Sequence, residues 1–472
     1  MNTLEYTSKN CWEVYDSPKE RSAMNAMAKR YMDFLSTCKT ERETIDYVLE
    51  RLAKAGFSLF PQNPLTSKVM RPLHGKALFA AHKGSAPLSQ GFRLICAHSD
   101  TPRLDLKQRP LQEQANIGQA KTHYYGGIRK YQWFARPLAL HGIVVKANGE
   151  KVSIIIGEDP KEPVFTIADL LPHLARSQSE VPLAKVFEGE KMNIVLAHSP
   201  LKPKSGKGKK GEEGKKEESP VKAHILALLH EKYGIIEEDL YSAELQAVPA
   251  GPARFVGLDK ALVGGYGQDD RINVFTALEA FLEGVDGKDK APEHTKILML
   301  WDKEEIGSEG STGAKSRFLE YCVQDCIEAW EPNTRFSEVM LAGKAISADV
   351  HAAIDPDWQE LHEKLNAALI GHGPCFSKYG GSGGKYEAND AHPEFIGWLR
   401  GVLNERKIPW QMAQLGKVDG GGGGTVAMYL AAYGTHVIDC GPAVLSMHSP
   451  FELASVVDIY ATTLAFTAFY QA

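Results

Sequence analysis

Several things are missing from this 472-residue chain, and each absence removes a class of function. No two of its seven cysteines form a Cys-x-x-Cys pair; they stand at 11, 38, 96, 322, 326, 375 and 440. That spacing indicates neither a disulfide framework nor a thiolate zinc knuckle. No long apolar run is present: the charge-free stretch after Asp458 is 14 residues, too short and too polar to span a bilayer. Residues 1–20 are polar and charged, without the apolar core of a secretory signal. A strong excess of positive charge is also missing; the formal net charge is −5, which argues against a nucleic-acid partner. The expectation is a cytoplasmic globular protein, 43% hydrophobic and 24% charged, too long for one ordinary core.

What is present divides the chain in three. Residues 18–36 read as an amphipathic helix with Met24, Met27, Tyr31 and Leu35 on one stripe. Thr40-Glu41-Arg42-Glu43 is a capping box ahead of a second helix, which Gly56 closes. Strand-like runs follow near 78–83 and 92–97. Between about 106 and 250 the pattern changes to short β-type runs broken by Gly and Pro, with one helix near 221–232. This reads as an inserted β-rich domain, splitting an α/β domain into residues 1–105 and 251–472. Inside the insert, 202–220 is dominated by Lys, Gly and Glu, with no apolar side chain from Ser205 to Ser219; it reads as a mobile, solvated loop. After 250 the α/β alternation returns. Helices are expected after Asp269-Asp270-Arg271, near 314–329, 392–406 and 426–432, and from about Pro450 to the end, with strands near 296–301, 345–348 and 437–439.

The strand-like run Ile297–Trp301 ends abruptly in Asp302-Lys303-Glu304-Glu305-Ile306-Gly307-Ser308. In an open α/β sheet, ligands gather outside the carboxyl ends of the strands. Four other such positions carry metal-type side chains: His98, Asp269, Asp349 and His448. With Glu305 they make two imidazoles and three carboxylates, a donor set suited to Zn²⁺ and also to Mn²⁺ or Co²⁺. That is too many for one catalytic zinc with an open position, and the right number for two ions sharing a bridging carboxylate. Glu304 is left over beside a ligand, as a general base for the attacking water. Asp100, two residues after His98, is placed to accept from the free imidazole N–H and fix its tautomer. His198, also flanked by Ala and Ser, lacks the following Asp and reads as structural or exposed.

These ordered motifs resemble the M18 metalloaminopeptidases, aspartyl aminopeptidase and its relatives. The resemblance rests on Ala97-His98-Ser99-Asp100-Thr101-Pro102, Gln268-Asp269-Asp270-Arg271, Asp302 to Ser308, Ser347-Ala348-Asp349 and Ser446-Met447-His448-Ser449, and spans nearly the whole chain. It implies a co-catalytic zinc aminopeptidase fold, an α/β/α sandwich with an inserted dimerisation domain, assembled into a dodecamer built from dimers. Residue by residue it implies Asp269 as the bridge, His98 and Asp349 on one ion, Glu305 and His448 on the other, and Glu304 as base, with Asp270 as a rival for that role. The implied reaction is removal of the N-terminal residue of a peptide. A deacylase on the same scaffold and an inactive assembly protein are the alternatives.

Two further positions follow from the resemblance. Pro172-His173-Leu174-Ala175 is similar to the segment that supplies a histidine to the neighbouring subunit in some members; here the next family histidine is replaced by Ser177. Lys378 lies where members that prefer an acidic first residue carry a cation, which would pair with the substrate carboxylate. The chain departs from those members in Val350-His351-Ala352 and in the glycine run Gly420–Gly424, and resembles a bacterial branch more closely. That run lacks the Gly-Lys-Ser/Thr of a phosphate loop. It reads either as backbone held close to a small substrate or as a tight turn.

Overall fold

The computed structural model describes residues 4–60, 66–201, 219–285 and 291–472. The Lys/Gly/Glu stretch lies outside the described residues from 202 to 218. The chain folds as two compact units, Met1–Thr101 with Pro252–Ala472, and Pro102–Gly251.

The first unit is built on a nine-stranded sheet whose centre is four parallel strands, in the order Thr295–Trp301, Phe92–His98, Lys344–Ala348, His436–Gly441. Their near-continuous apolar runs reflect burial on both faces. In Phe92–His98 all seven residues are buried. Phe92, Leu94 and Cys96 enter one core, with helix Phe318–Trp330. Ile95 and Ala97 enter the other, with helices Pro18–Thr37, Glu41–Lys54, Gln268–Leu282 and Val456–Tyr470. The period-2 alternation thus separates two cores, one on each face, giving an α/β/α sandwich. A five-stranded sheet in the same unit joins Arg254–Val256, Leu262–Gly265, Glu452–Ser455, Ala443–Leu445 and His351–Ala352. The second unit is β-rich: seven antiparallel strands in one sheet around a small core of Val144, Ile154, Ile235, Leu240 and Leu245. It begins earlier than position 106 because Arg103–Gln114 is one strand paired along Ile117–Tyr125.

Helices Pro18–Thr37 and Glu41–Lys54 start at reciprocal capping boxes, Ser17/Glu20 and Thr40/Glu43. Two expected helix starts are corrected. The helix expected near 314 begins at Phe318, because Thr312 is drawn back onto Asp302 by its hydroxyl (2.7 Å) and its carbonyl (3.1 Å). The closing helix begins at Val456, not near Pro450; Glu452–Ser455 is instead a strand, paired with Leu262–Gly265 and with Ala443–Leu445. Leu453 is therefore a sheet residue. Among the described residues no helix is long and apolar enough to cross a membrane.

Candidate metal centre

Trp301 and His98 sit side by side in parallel register, so the chain leaving Trp301 starts next to the imidazole. It turns at once: Lys303 takes a left-handed conformation (φ 69°), Gly307 another (φ 94°), and the Ser308 amide donates back to the Lys303 carbonyl at 2.7 Å. Within this turn the amides of Glu304 and Glu305 both donate to the buried Asp100 carboxylate, at 3.1 and 3.2 Å. One acid thereby holds the backbone of two adjacent glutamates. This differs from the expectation for Asp100. The His98 Nδ1 lies 3.0 Å from the Asp100 main-chain carbonyl and 3.4 Å from its carboxylate, so the carbonyl is the nearer acceptor that orients the ring.

Asp269 follows Gly267 (φ 74°) and precedes the regular part of its helix; Asp269 and Asp270 themselves are not helical, and the peptide between them is cis. Its carboxylate stands between two imidazoles, Oδ1 3.1 Å from His98 Nε2 and Oδ2 3.1 Å from His448 Nε2. Asp349 Oδ1 is 3.9 Å from His98 Nε2, and Glu305 Oε2 is 3.5 Å from His448 Nε2. Glu304 Oε2 is 4.0 Å from His98 Nε2. Ligand atoms of His98, Asp269, Asp270 and Asp349 lie within 4.8 Å of one another, as do those of Asp269, Glu305 and His448, and those of His98, Glu304 and Glu305. Asp270 is otherwise engaged: its carboxylate accepts the His98 amide (3.3 Å) and the Asn273 side-chain amide (2.5 Å).

Charge in this cluster is poorly balanced without a cation. Burial pushes the Glu305 and Asp349 carboxyls well above the usual range, neighbouring acids adding to it. Burial likewise lifts Glu304 to about 7. Burial alone would pull the imidazoles down, but Asp100 and Asp269 raise His98, and Asp269 and Glu305 raise His448 to about 10. Asp269 is held low: the two histidines outweigh its burial. Glu305 Oε1 is buried with no hydrogen-bond partner. An orphaned carboxylate oxygen, two imidazoles and converging acids fit divalent cations of the zinc type.

A cavity of about 630 Å³ opens over this cluster, lined by Asp269, Glu304, Glu305, Asp349 and His448 but not by Asp270. A glycine ribbon lines it as well, Gly381–Ser382 antiparallel to Gly422–Gly423. Gly422 has φ 117°, and a Cβ there would meet the Gly381 carbonyl at 2.1 Å, so no other residue fits. Gly421 to Gly424 of the glycine run thus form a wall of the cavity rather than an isolated turn.

Lys378 is not brought to the cavity. Its ammonium pairs with Asp390, which Lys385 also meets at 3.0 Å, and the lysines that line the cavity are Lys385 and Lys417. Among the described residues Lys417 has no carboxylate partner. His173 is an exposed residue of the second unit, and His198, also exposed there, has its Nδ1 2.9 Å from the Asn116 carbonyl. Two residues at the site escaped the sequence reading. His351 lines the cavity with its Nε2 2.8 Å from the Ser377 hydroxyl; it was visible only as a departure from a motif. Glu452 lies under the cluster; its one signal was an acid four residues after His448.

Comparison with known proteins agrees with this geometry. The family described as "Aminopeptidase I zinc metalloprotease (M18)" matches residues 34–470. A probable M18 family aminopeptidase 1 from Clostridium acetobutylicum is 44% identical, with 99% of each chain covered. The crystal structure of an M18 aminopeptidase from Thermotoga maritima superposes with a TM-score of 0.90 at 41% identity, covering 99% of this chain and 100% of that one. A distant neighbour, the mApe1 dodecamer of S. cerevisiae, shares the fold at 20% identity and a TM-score of 0.75, over 95% of this chain and 97% of that one. The chain belongs to the M18 family of zinc aminopeptidases, peptide hydrolases whose fold it carries from end to end.

Proposed function

We propose that this aminopeptidase works with two divalent ions, zinc foremost and manganese or cobalt as alternatives. His98 and Asp349 hold one, Glu305 and His448 the other, and Asp269 bridges them. The single observation that carries this reading is the Asp269 carboxylate, with one oxygen 3.1 Å from each imidazole. Ions bound there would polarise the scissile carbonyl and acidify the attacking water. Glu304 takes the proton of that water and returns it to the leaving amine. Two observations favour Glu304 over Asp270: it lines the cavity, and the Asp270 carboxylate is already engaged by the His98 amide and Asn273. The Lys417 ammonium on the cavity wall, without a carboxylate partner among the described residues, favours an acidic first residue, in the role the sequence assigned to Lys378.

We further propose a homo-oligomer assembled through the second unit, which carries the exposed leucines Leu170, Leu171, Leu174 and Leu183. The S. cerevisiae relative forms a dodecamer, and the same size is proposed here, with His173 offered to the neighbour's site. Seven unbridged, buried thiols fit a reducing, cytoplasmic setting.

Metal content and a substrate panel test the reading. Metal analysis of gently purified protein is expected to give two ions per chain. Aminoacyl anilides are expected to be cleaved and N-acyl amino acids left intact; cleavage of the acylated set alone would make the chain a deacylase, and a metal-free chain inert on both sets would be an assembly protein.

A further inference from the structure

We infer that Glu452 is a positioning residue that sets the distance between the bridging acid and the imidazole of the second ion. This rests on the two-ion reading above. Asp269 and His448 are separated by most of the C-terminal half of the chain, and no regular element joins them. Glu452 does. Its Oε1 accepts the His448 amide at 2.7 Å and its Oε2 accepts the Asp269 amide at 3.1 Å. Both oxygens are thus spent on the backbones of two residues that face each other 3.1 Å apart through their side chains. The side chain of Glu452 is fully buried, so water cannot take over either bond.

The backbone of Glu452 is fixed as firmly. It pairs with Gly265 in the five-stranded sheet, and its carbonyl accepts the Gln268 side-chain amide at 2.6 Å. The same Gln268 nitrogen donates to the Val263 carbonyl at 3.1 Å, and Tyr31 donates to the Gln268 oxygen at 3.2 Å. His448 itself sits in a left-handed conformation (φ 62°), which leaves its amide aimed at the Glu452 carboxylate instead of a helix or strand partner. A carboxylate is needed because both partners are donors. A carboxamide offers one acceptor oxygen and sets its NH₂ against the other amide.

Asp458 supplies an internal control. It is another fully buried acid whose two oxygens accept two backbone amides, at 2.6 and 2.7 Å, but those belong to Gly371 and Gly373. The experiment is Zn²⁺ titration of wild type, E452Q and D458N against a chromophoric chelator, with thermal melts and steady-state kinetics on the same samples. Wild type is expected to bind two ions, and E452Q to hold one of them about 10- to 100-fold more weakly, with kcat falling and partly recovering as Zn²⁺ is raised to refill the site. D458N is expected to melt earlier while binding both ions as wild type does. An E452Q protein that merely melts earlier, with both affinities unchanged, overturns the inference. Wild type with a single ion that E452Q weakens would overturn the two-ion reading and leave the positioning role standing; a single ion that E452Q leaves unchanged overturns both. If E452Q does not fold, E452D, one methylene shorter and able to reach one amide but not both, carries the same expectation.

Discussion

Replacing Asp100 by Asn tests the way the backbone of the two glutamates is held. The Asp100 carboxylate is fully buried and accepts the amides of both Glu304 and Glu305. Asn has nearly the same shape but only one acceptor oxygen, so one amide loses a charge-assisted bond and faces an NH₂ group. Such a bond contributes about 1.5–3 kcal/mol. If that energy appears as misorientation of Glu304 in the transition state, kcat falls roughly 10- to 150-fold, at about 1.4 kcal/mol per decade. The His98 ring keeps its nearer partner, the main-chain carbonyl at 3.0 Å, so metal content is expected to hold. Steady-state kinetics on an aminoacyl anilide, with metal analysis of the same sample, reads both quantities. A D100N enzyme with full metal and kcat within threefold of wild type would refute the reasoning.

Three further outcomes follow from other parts of the molecule. His82 is buried, and burial, with Lys68 and Lys296 adding, lowers it from the ordinary 6.5 to about 4. Its unfolded form takes up a proton that the folded form refuses, so stability is lost as pH falls from about 6.5 to 4, by about 3 kcal/mol; denaturant midpoints should show this limb, and His82→Leu should flatten it. Lys417→Ala should cut the kcat/KM ratio of aspartyl over leucyl anilide about fivefold, roughly the 1 kcal/mol at the upper end for an exposed ion pair, while Lys378→Ala, whose partner is Asp390, should leave that ratio within about twofold; the reverse pattern would restore Lys378 to the pocket. Gly422→Ala brings a Cβ onto the Gly381 carbonyl at a left-handed position, and should raise KM about tenfold or more by displacing the ribbon; an unchanged KM would mean the ribbon does not contact substrate.

Much of the scaffold was legible because its signals are local. The stripe Met24, Met27, Tyr31 and Leu35 marks one helix and Thr40/Glu43 announces the next, and the buried strands announce themselves as apolar runs that end in acid or histidine. The residues that gather at the centre, His98, Asp269, Glu304, Glu305, Asp349 and His448, stand at such ends or turns, and their order along the chain made them visible. What escaped depends on distant partners. Glu452–Ser455 carries helix-compatible residues and becomes a strand only because Leu262–Gly265 and Ala443–Leu445 flank it. Thr312 delays a helix because Asp302 pulls on it from ten residues away. Asp100 lies where the sequence puts it, but which atoms it holds is decided by the turn at Lys303. The pairing of Lys378 with Asp390, twelve residues further on, likewise becomes visible only in the folded chain.

The division of labour between adjacent glutamates is the centre of the account, and Glu304→Gln tests it most directly. The substitution removes the proton acceptor and keeps the side chain's volume, so turnover should fall by roughly 10²- to 10⁴-fold, the usual worth of a general base. Metal analysis of the same sample should still give two ions per chain if, as proposed, Glu305 and not Glu304 is the ligand. Loss of an ion from E304Q, or turnover that survives the change, would contradict it.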